Sequence, residues 1–323
     1  MDITLNNVIE ASNTIEGIVN KTPLKLSQAL TEETSKNIWL KLENNQPTGA
    51  FKLRGAANAI LTLTEKERNN GIITMSTGNH GKAVAYMAKQ LNIPAVICVS
   101  ELVPEVKLNG MRKLGVEIVV AGKDQEEADR ETLKLAEEVG LTYISAFDDP
   151  HVIAGQGTVA LEILKERPET DTIVVPLSGG GLMSGVALAA KTIKPDIDII
   201  GVSMEHGAAM HMSIKAGEIV PVDESYSLAD ALTGCIPINN RYTFNMCSKY
   251  VDSTHLVSED EIGKAIAYAF CKERLVLEGG ACAPIAYVQN NYNSIKGKNI
   301  AIICSGDNID INKTIELYNK YYN

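Results

Sequence analysis

The feature that most restricts the fold of this chain is a regular exchange of short apolar runs with longer amphipathic ones. Ile173-Val174-Val175 and Ile199-Ile200-Gly201-Val202 are apolar at every position. A strand with one wet face alternates in polarity, whereas a continuously apolar strand must be covered on both faces. That condition is met by a parallel sheet between two helical layers. Asp198 interrupts the second run only at its start, where a strand is still near the surface. An amphipathic helix is predicted over 5–19, then a strand over 38–42 and a helix over 53–63. Strands follow at 71–75, 94–99, 116–120 and 141–145, with helices at 80–92, 104–114 and 124–139 between them. The pattern continues with helix 151–166, strand 172–177, helix 181–193 and strand 197–203. Helices 258–273 and 280–291, strand 299–304 and helix 310–320 complete it. This is an α/β chain with two open, mostly parallel sheets covered by helices. Residues 71–148 have enough strands and helices to form a small inserted domain, leaving 1–70 plus 149–323 as a larger one.

Composition narrows the partners. The net charge of −10 disfavours broad affinity for nucleic acid or an anionic membrane, and no basic run is interleaved with aromatics. No apolar run approaches the ~20 residues of a membrane span, and Met1-Asp2-Ile3-Thr4 lacks the basic start and apolar core of a signal peptide. The cysteines (98, 235, 247, 271, 282 and 304) form no C-x-x-C pair and have no zinc-like histidine spacing. Cys98 and Cys304 lie in strand-like runs as buried thiols. A soluble cytoplasmic protein acting on a small molecule is the expectation.

Three turns and one lysine carry the chemistry. Lys52 lies between Phe51 and Leu53, just after the strand at 38–42. A lysine is a nucleophile only when unprotonated, and apolar surroundings lower its pKa toward that state. The alternative is a solvated lysine at a helix start, since lysine is seldom buried. Arg54, two residues on, is expected to add cationic repulsion. Ser178-Gly179-Gly180-Gly181-Leu182 joins a strand to a helix, so its backbone N–H groups can converge on an anion at the helix N-terminus. A plain tight turn requires the same glycines. Gly179, Gly181 and Gly185 are spaced one residue too widely for a dinucleotide fingerprint, although Glu205 ends the next strand as a ribose-binding acid would. Ser76-Thr77-Gly78-Asn79-His80-Gly81 offers helix-end and short side-chain donors suited to a carboxylate, or simply a helix cap. Cys304-Ser305-Gly306-Asp307-Asn308 follows a strand, where ligands of parallel sheets gather.

Glu43, followed after four residues by Thr48-Gly49-Ala50-Phe51-Lys52-Leu53-Arg54-Gly55-Ala56, resembles the cofactor-attachment motif of the serine/threonine dehydratases. These are pyridoxal-phosphate enzymes of the second fold type, a group that includes serine racemase. Similarity runs from Lys21-Thr22-Pro23-Leu24 to Asn308, with the motifs in the family's order. The resemblance implies that Lys52 attaches pyridoxal 5′-phosphate beside Phe51, and that Ser178, Gly179, Gly180, Gly181 and Leu182 bind its phosphate. It implies that Asn79 meets the cofactor's ring oxygen, that Ser305 faces the pyridine nitrogen, and that Glu278 lies near the ring. Ser76, Thr77, Gly78, Asn79 and His80 would surround the substrate carboxylate. Thr77 stands where the racemase has a serine acid and dehydratases usually have alanine, so its hydroxyl permits proton chemistry on the second face.

Asp148-Asp149-Pro150-His151-Val152-Ile153-Ala154-Gly155-Gln156-Gly157-Thr158 is similar to a dehydratase segment, and Phe147 stands where the racemase has asparagine. Ser227-Leu228-Ala229-Asp230-Ala231-Leu232 and Asn240-Arg241-Tyr242-Thr243-Phe244 look like the hydroxyectoine-utilisation branch. Arg241 would pair with a distal substrate carboxylate or brace the fold. The family often holds a monovalent or divalent cation, for which Glu205 and the Ala209 carbonyl match. His211 replaces the second carboxylate, a poor site for a hard cation. Asp307 departs from the family's second glycine, and ring contact by Asp307 in place of Ser305 would change the cofactor's electronics. The chain looks like the short form, without an added regulatory domain.

The expected activity is ammonia-lyase elimination from a β-hydroxy amino acid, L-threonine or L-serine by default, in a homodimer. Rivals within the fold are a racemase and a dehydratase of 3-hydroxyaspartate or a hydroxyectoine-derived amino acid. Outside it stand a nicotinamide-dependent dehydrogenase and a non-catalytic cofactor-binding sensor.

Overall fold

The computed structural model describes residues 2–76, 78–101, 112, 115–123, 125–223 and 226–322. Thr77 and nearly all of the helix expected at 104–114 therefore lie outside the described residues. The chain opens with α1 (Leu5–Thr14), β1 (Leu24–Leu26), α2 (Gln28–Thr34) and β2 (Asn37–Leu42). Next come α3 (Lys52–Leu61), α4 (Glu65–Asn70), β3 (Ile72–Met75), α5 (Asn79–Leu91), β4 (Ala95–Val99) and β5 (Glu117–Val120). α6 (Gln125–Val139), β6 (Thr142–Tyr143), α7 (Pro150–Glu166), β7 (Thr172–Pro176), α8 (Gly181–Ile193) and β8 (Asp198–Met204) continue the alternation. The chain ends through α9 (Ala209–Ala216), α10 (Thr243–Tyr250), β9 (Ser253–Val257), α11 (Glu259–Tyr268), α12 (Gly279–Asn291), β10 (Asn299–Cys304) and α13 (Ile311–Tyr322).

Two sheets result. One has the order β1-β2-β10-β7-β8-β9, parallel except where β1 pairs antiparallel with β2. The other has the order β5-β4-β3-β6 and is parallel throughout. The six-stranded sheet explains the continuously apolar runs. Val174, Ile200, Ile300 and Ile302 face a core shared with α11 and α12, while Ile173, Val175, Ile199 and Ile303 face one shared with α7 and α8. Each fully buried aliphatic side chain contributes about 1.5–3 kcal/mol, so a polar residue on either face would be costly. α7 and α8 lie so close that a Cβ at Gly185 would sit 2.2 Å from the Ile153 carbonyl oxygen, which only glycine avoids.

Several boundaries differ from the sequence expectation. The first helix stops at Thr14 because Gly17 turns left-handed (φ 79°). The helix expected to 273 is α-helical to Tyr268, then widens to a π turn over Ala269–Glu273 and ends at left-handed Arg274 (φ 59°). Strand 141–145 pairs only through Thr142 and Tyr143, plus one bond from Ile144 N–H to the Ile73 carbonyl (2.8 Å), before it leaves the sheet. The elements β1, α2, α4, α9, α10 and β9 were not predicted. Most are short, and their apolar stripes are too brief to show a period. Among the described residues none of the six cysteines forms a disulfide, and no helix is long and apolar enough to cross a membrane.

Candidate active site

Parallel pairing brings three loops to one edge of the six-stranded sheet. Cys304 at the end of β10 is in register with Leu42 at the end of β2, and Ile302 with Val174 in β7. The segments that follow these strands are 43–51, 177–180 and 305–308, so they emerge together. The first and last are stitched by backbone: Phe51 N–H donates to the Ser305 carbonyl (2.9 Å) and Asp307 N–H to the Gly49 carbonyl (2.9 Å). Lys52 opens α3 immediately after this stitch, and Ser305 is buried beside it.

The Lys52 amine donates to the Ala146 carbonyl at 2.6 Å and lies 5.4 Å from the centre of the Phe51 ring. Desolvation lowers its pKa to about 8, against a smaller opposing pull from the Glu278 carboxylate. The expected repulsion from Arg54 is corrected by the geometry. Arg54 is turned away into a buried cluster, where Nε and Nη2 bond the two Glu43 oxygens (2.8 and 2.9 Å). Its Nη1 reaches Glu162 at 2.8 Å. Burial of the lysine, not a neighbouring cation, depresses its pKa.

The glycine turn sits against the residue that follows the lysine's acceptor. A Cβ at Gly179 would lie 2.6 Å from the Phe147 ring, and one at Gly181 2.8 Å from the Phe147 Cα. Gly180 caps α8 in the left-handed region (φ 88°), where a Cβ would also meet Met210, Cys247 and Thr243. Ser178 is half-buried, Leu182 buried, and the first N–H groups of α8 have no partner within the helix. These donors and the helix dipole suit a phosphate. Ala146 and Phe147 thus put the lysine and the turn next to one another.

On the opposite side Asn79 opens α5. Its amide donates to Glu278 Oε1 (2.8 Å) and its oxygen accepts from Asn308 (2.5 Å). Asn308 also donates to the Thr48 carbonyl (3.2 Å) and accepts from Lys82 (2.6 Å). Glu278 is buried at the cap of α12, and its pKa is pushed up to about 7, chiefly by burial, although the Asn79 amide pulls it down. Asp307 faces the Gly49 turn, where a Cβ would fall 2.4 Å from its Oδ1, and its carboxyl bonds Asn44. Its side chain is thereby occupied away from Ser305.

His80 is buried with Nε2 on the Ile144 carbonyl (3.0 Å), and burial followed by the Lys52 charge depresses its pKa to about 3. It is a neutral ring, so any help to a carboxylate comes through its backbone. Ser76 bonds the Gly78 N–H through its hydroxyl (3.3 Å), shaping the turn into α5. Thr77 lies outside the described residues. Arg241 is exposed, and its backbone N–H donates to Asp148. His151 is an exposed residue of the first turn of α7. Glu205 is exposed, Ala209 opens α9, and His211 pairs with Thr254 (2.8 Å). Among the described residues no group of three metal-ligating side chains assembles.

The site has one desolvated amine, a glycine cradle at a helix start, a buried serine and a fixed amide, which fit an aldehyde-bearing phosphorylated cofactor. A family model for pyridoxal-phosphate-dependent enzymes matches residues 15–306. The chain belongs to that family. It is 40% identical over 98% of its length to an L-threonine ammonia-lyase of Thermotoga maritima, covering 79% of that protein. It is 38% identical over 96% of its length to the L-threo-3-hydroxyaspartate ammonia-lyase of Saccharomyces cerevisiae, covering 94% of it. The solved structure of maize serine racemase superposes with a TM-score of 0.92 at 31% identity, covering 99% of this chain and 98% of that one. The enzyme therefore has the second fold type, and pyridoxal phosphate is its cofactor.

Because the neutral amine is the form that captures an aldehyde, the Lys52 pKa sets a pH profile. Uptake of pyridoxal phosphate by the cofactor-stripped enzyme is expected to quicken about tenfold per pH unit below a pKa and to level off above about 8. Stopped-flow absorbance would check this. A rate still climbing steeply past pH ~10, the range of an ordinary lysine, would show that the amine is solvated.

Sequence reasoning missed the Ala146 carbonyl, because a backbone acceptor leaves no trace in residue type. It also missed Asn308 as the partner of Asn79, and Asp148. The last left a signal: of two adjacent aspartates only Asp149 is needed to cap α7, which leaves the other without a local duty.

Proposed function

We propose that this enzyme removes ammonia from a small β-hydroxy amino acid, L-threonine or L-serine: the β-hydroxyl leaves as water, and a water taken up at the α-carbon then releases ammonia to give a 2-oxo acid. The observation that carries this reading is the Lys52 amine, desolvated and set between Ser305 and the residues that pack on the glycine turn. Lys52 would hold the cofactor through its amine, the 178–182 turn would bind the phosphate, Asn79 the ring oxygen, and Ser305 the pyridine nitrogen. When bound, the cofactor supplies the electron sink for carbanion chemistry at Cα. Lys52, with a pKa near neutrality, suits both halves of proton transfer. Released from the cofactor it accepts the α-proton as general base, and its ammonium form can donate toward the departing hydroxyl. Ser76 precedes a helix that Gly78 caps and Asn79 opens, and the N–H groups of its first turn would orient the substrate carboxylate. A serine hydroxyl at the ring nitrogen, unlike a carboxylate, need not keep it protonated, which suits elimination over reactions needing a long-lived carbanion.

Further parts of this reading are a small domain over 71–148 set into a larger one, a homodimer, and a cytoplasmic location. The four-stranded sheet lies wholly within the proposed small domain. The test is a panel of L-threonine, L-serine and L-threo-3-hydroxyaspartate with the purified holoenzyme, following 2-oxo acid and ammonia. Release of both from threonine or serine supports the proposal. Loss of optical rotation without 2-oxo acid would replace it with a racemase, and turnover of 3-hydroxyaspartate alone would move the substrate class.

A further inference from the structure

The segment Ile144–Asp148 touches the site at every step. The Ile144 carbonyl receives His80, the Ala146 carbonyl receives Lys52, and Phe147 lies on Gly179 and Gly181. Asp148 then leaves the immediate site. Its Oδ1 accepts from the backbone N–H groups of Tyr242 (2.9 Å) and Thr243 (2.9 Å), and its Oδ2 from that of Arg241 (2.6 Å). These are the otherwise unpaired donors at the start of α10, 93 to 95 residues away in sequence. Asp148 is itself steadied by its N–H on the Ser145 hydroxyl (3.1 Å).

What α10 does gives this cap a consequence. Thr243 and Cys247, both fully buried, back the glycine turn: a Cβ at Gly180 would lie 3.0 Å from each. The Cys247 thiol points at the Gly180 carbonyl (3.8 Å), and the Ser184 hydroxyl, one turn into α8, bonds the Thr243 carbonyl (3.4 Å). The turn is therefore held between Phe147, which lies on Gly179 and Gly181, and Thr243 and Cys247 of α10, which lie on Gly180. One carboxylate next to Phe147 secures both jaws.

We propose that Asp148 is a positioning residue for the phosphate-binding turn, holding α10 against Gly180 so that the N–H groups at the start of α8 stay convergent. This rests on the reading of 178–182 as the phosphate cradle. Convergent donors matter most for a phosphate, whose oxygens need several hydrogen bonds at once, and little for the lysine–aldehyde link.

The test compares pyridoxal phosphate with pyridoxal, which lacks the phosphate, in titrations of the cofactor-stripped full-length enzyme followed by absorbance. Asp148→Ala is expected to raise the Kd for pyridoxal phosphate about tenfold, a loss of about 1.4 kcal/mol, and to leave pyridoxal capture unchanged. Asp148→Asn keeps one oxygen for Tyr242 and Thr243 and is expected to fall between alanine and wild type. At saturating cofactor kcat should stay within about twofold, because the reacting groups are untouched. Equal weakening for both aldehydes, or an unchanged Kd for pyridoxal phosphate in a folded variant, overturns the proposal. Should the alanine variant not fold, the asparagine variant decides by the same comparison. A wild-type enzyme that fails to prefer the phosphorylated aldehyde would instead remove the cradle reading itself.

Discussion

Replacing Lys52 with alanine is expected to abolish covalent capture of pyridoxal phosphate and to reduce turnover by at least about 10³-fold, the combined effect of losing an anchoring nucleophile and a general base. The fold should survive, since among the described residues the lysine amine bonds the Ala146 carbonyl alone. Two measurements on one preparation check the point: visible absorbance with added cofactor, and borohydride fixation followed by peptide mapping. Fixation persisting at another lysine in the variant would refute the assignment. Lys41 is the competitor to watch, because it is fully buried. Its amine, however, is already engaged by the Thr22 carbonyl (2.7 Å) and the Glu162 carboxylate (2.5 Å), whereas among the described residues no acid lies within bonding distance of Lys52.

The largest loss of stability is expected from Arg54→Leu. Arg54 and Glu43 are both fully buried, paired through two short bonds, and joined by Glu162 and the Thr158 hydroxyl. Burial alone would raise the Glu43 pKa, but the Arg54 guanidinium outweighs it and holds the carboxyl below its ordinary range. Removing the arginine leaves a desolvated carboxylate unpaired, which costs about 3–5 kcal/mol. The sign with pH follows. A carboxyl with a depressed pKa stabilises the folded state above its unfolded value of about 4.3 and loses that contribution as the medium is acidified. The deficit of Arg54→Leu should therefore be greatest near neutrality and shrink toward acid. Denaturant melts at two pH values would show it, and a variant within about 1 kcal/mol of wild type at pH ~7 would mean that the pair is replaceable at no cost. Adding Glu43→Gln should recover part of the loss, since the orphaned charge goes with it.

Much of this was legible before any coordinates. Long strands with both faces covered announce themselves by uninterrupted Val and Ile, and β7, β8 and β10 fall within a residue or so of their predicted limits. The lysine, the glycine turn and the Ser-Gly-Asp-Asn loop could be found because each needs a particular residue type at a particular spacing. The eight-residue α10 was not readable, since it is too short to show a period and is held by a distant partner, and the strand read over 141–145 pairs through Thr142 and Tyr143 alone because the chain then turns toward the site. Arg54 misled for the same reason. Two positions from Lys52 in sequence, it points to the other side of α3, where its partners lie up to 108 residues away. Which neighbours share a face can be read from spacing; which distant carboxylate waits there cannot.

The strand that sits between β2 and β7 comes later in the chain than either of them. Until residues 299–304 slide into place, β2 and β7 have no common neighbour, and Ser305 cannot accept from Phe51. Lys52 therefore lacks its finished surroundings until a segment far downstream has docked. Cofactor loading is accordingly expected to await the docking of that strand.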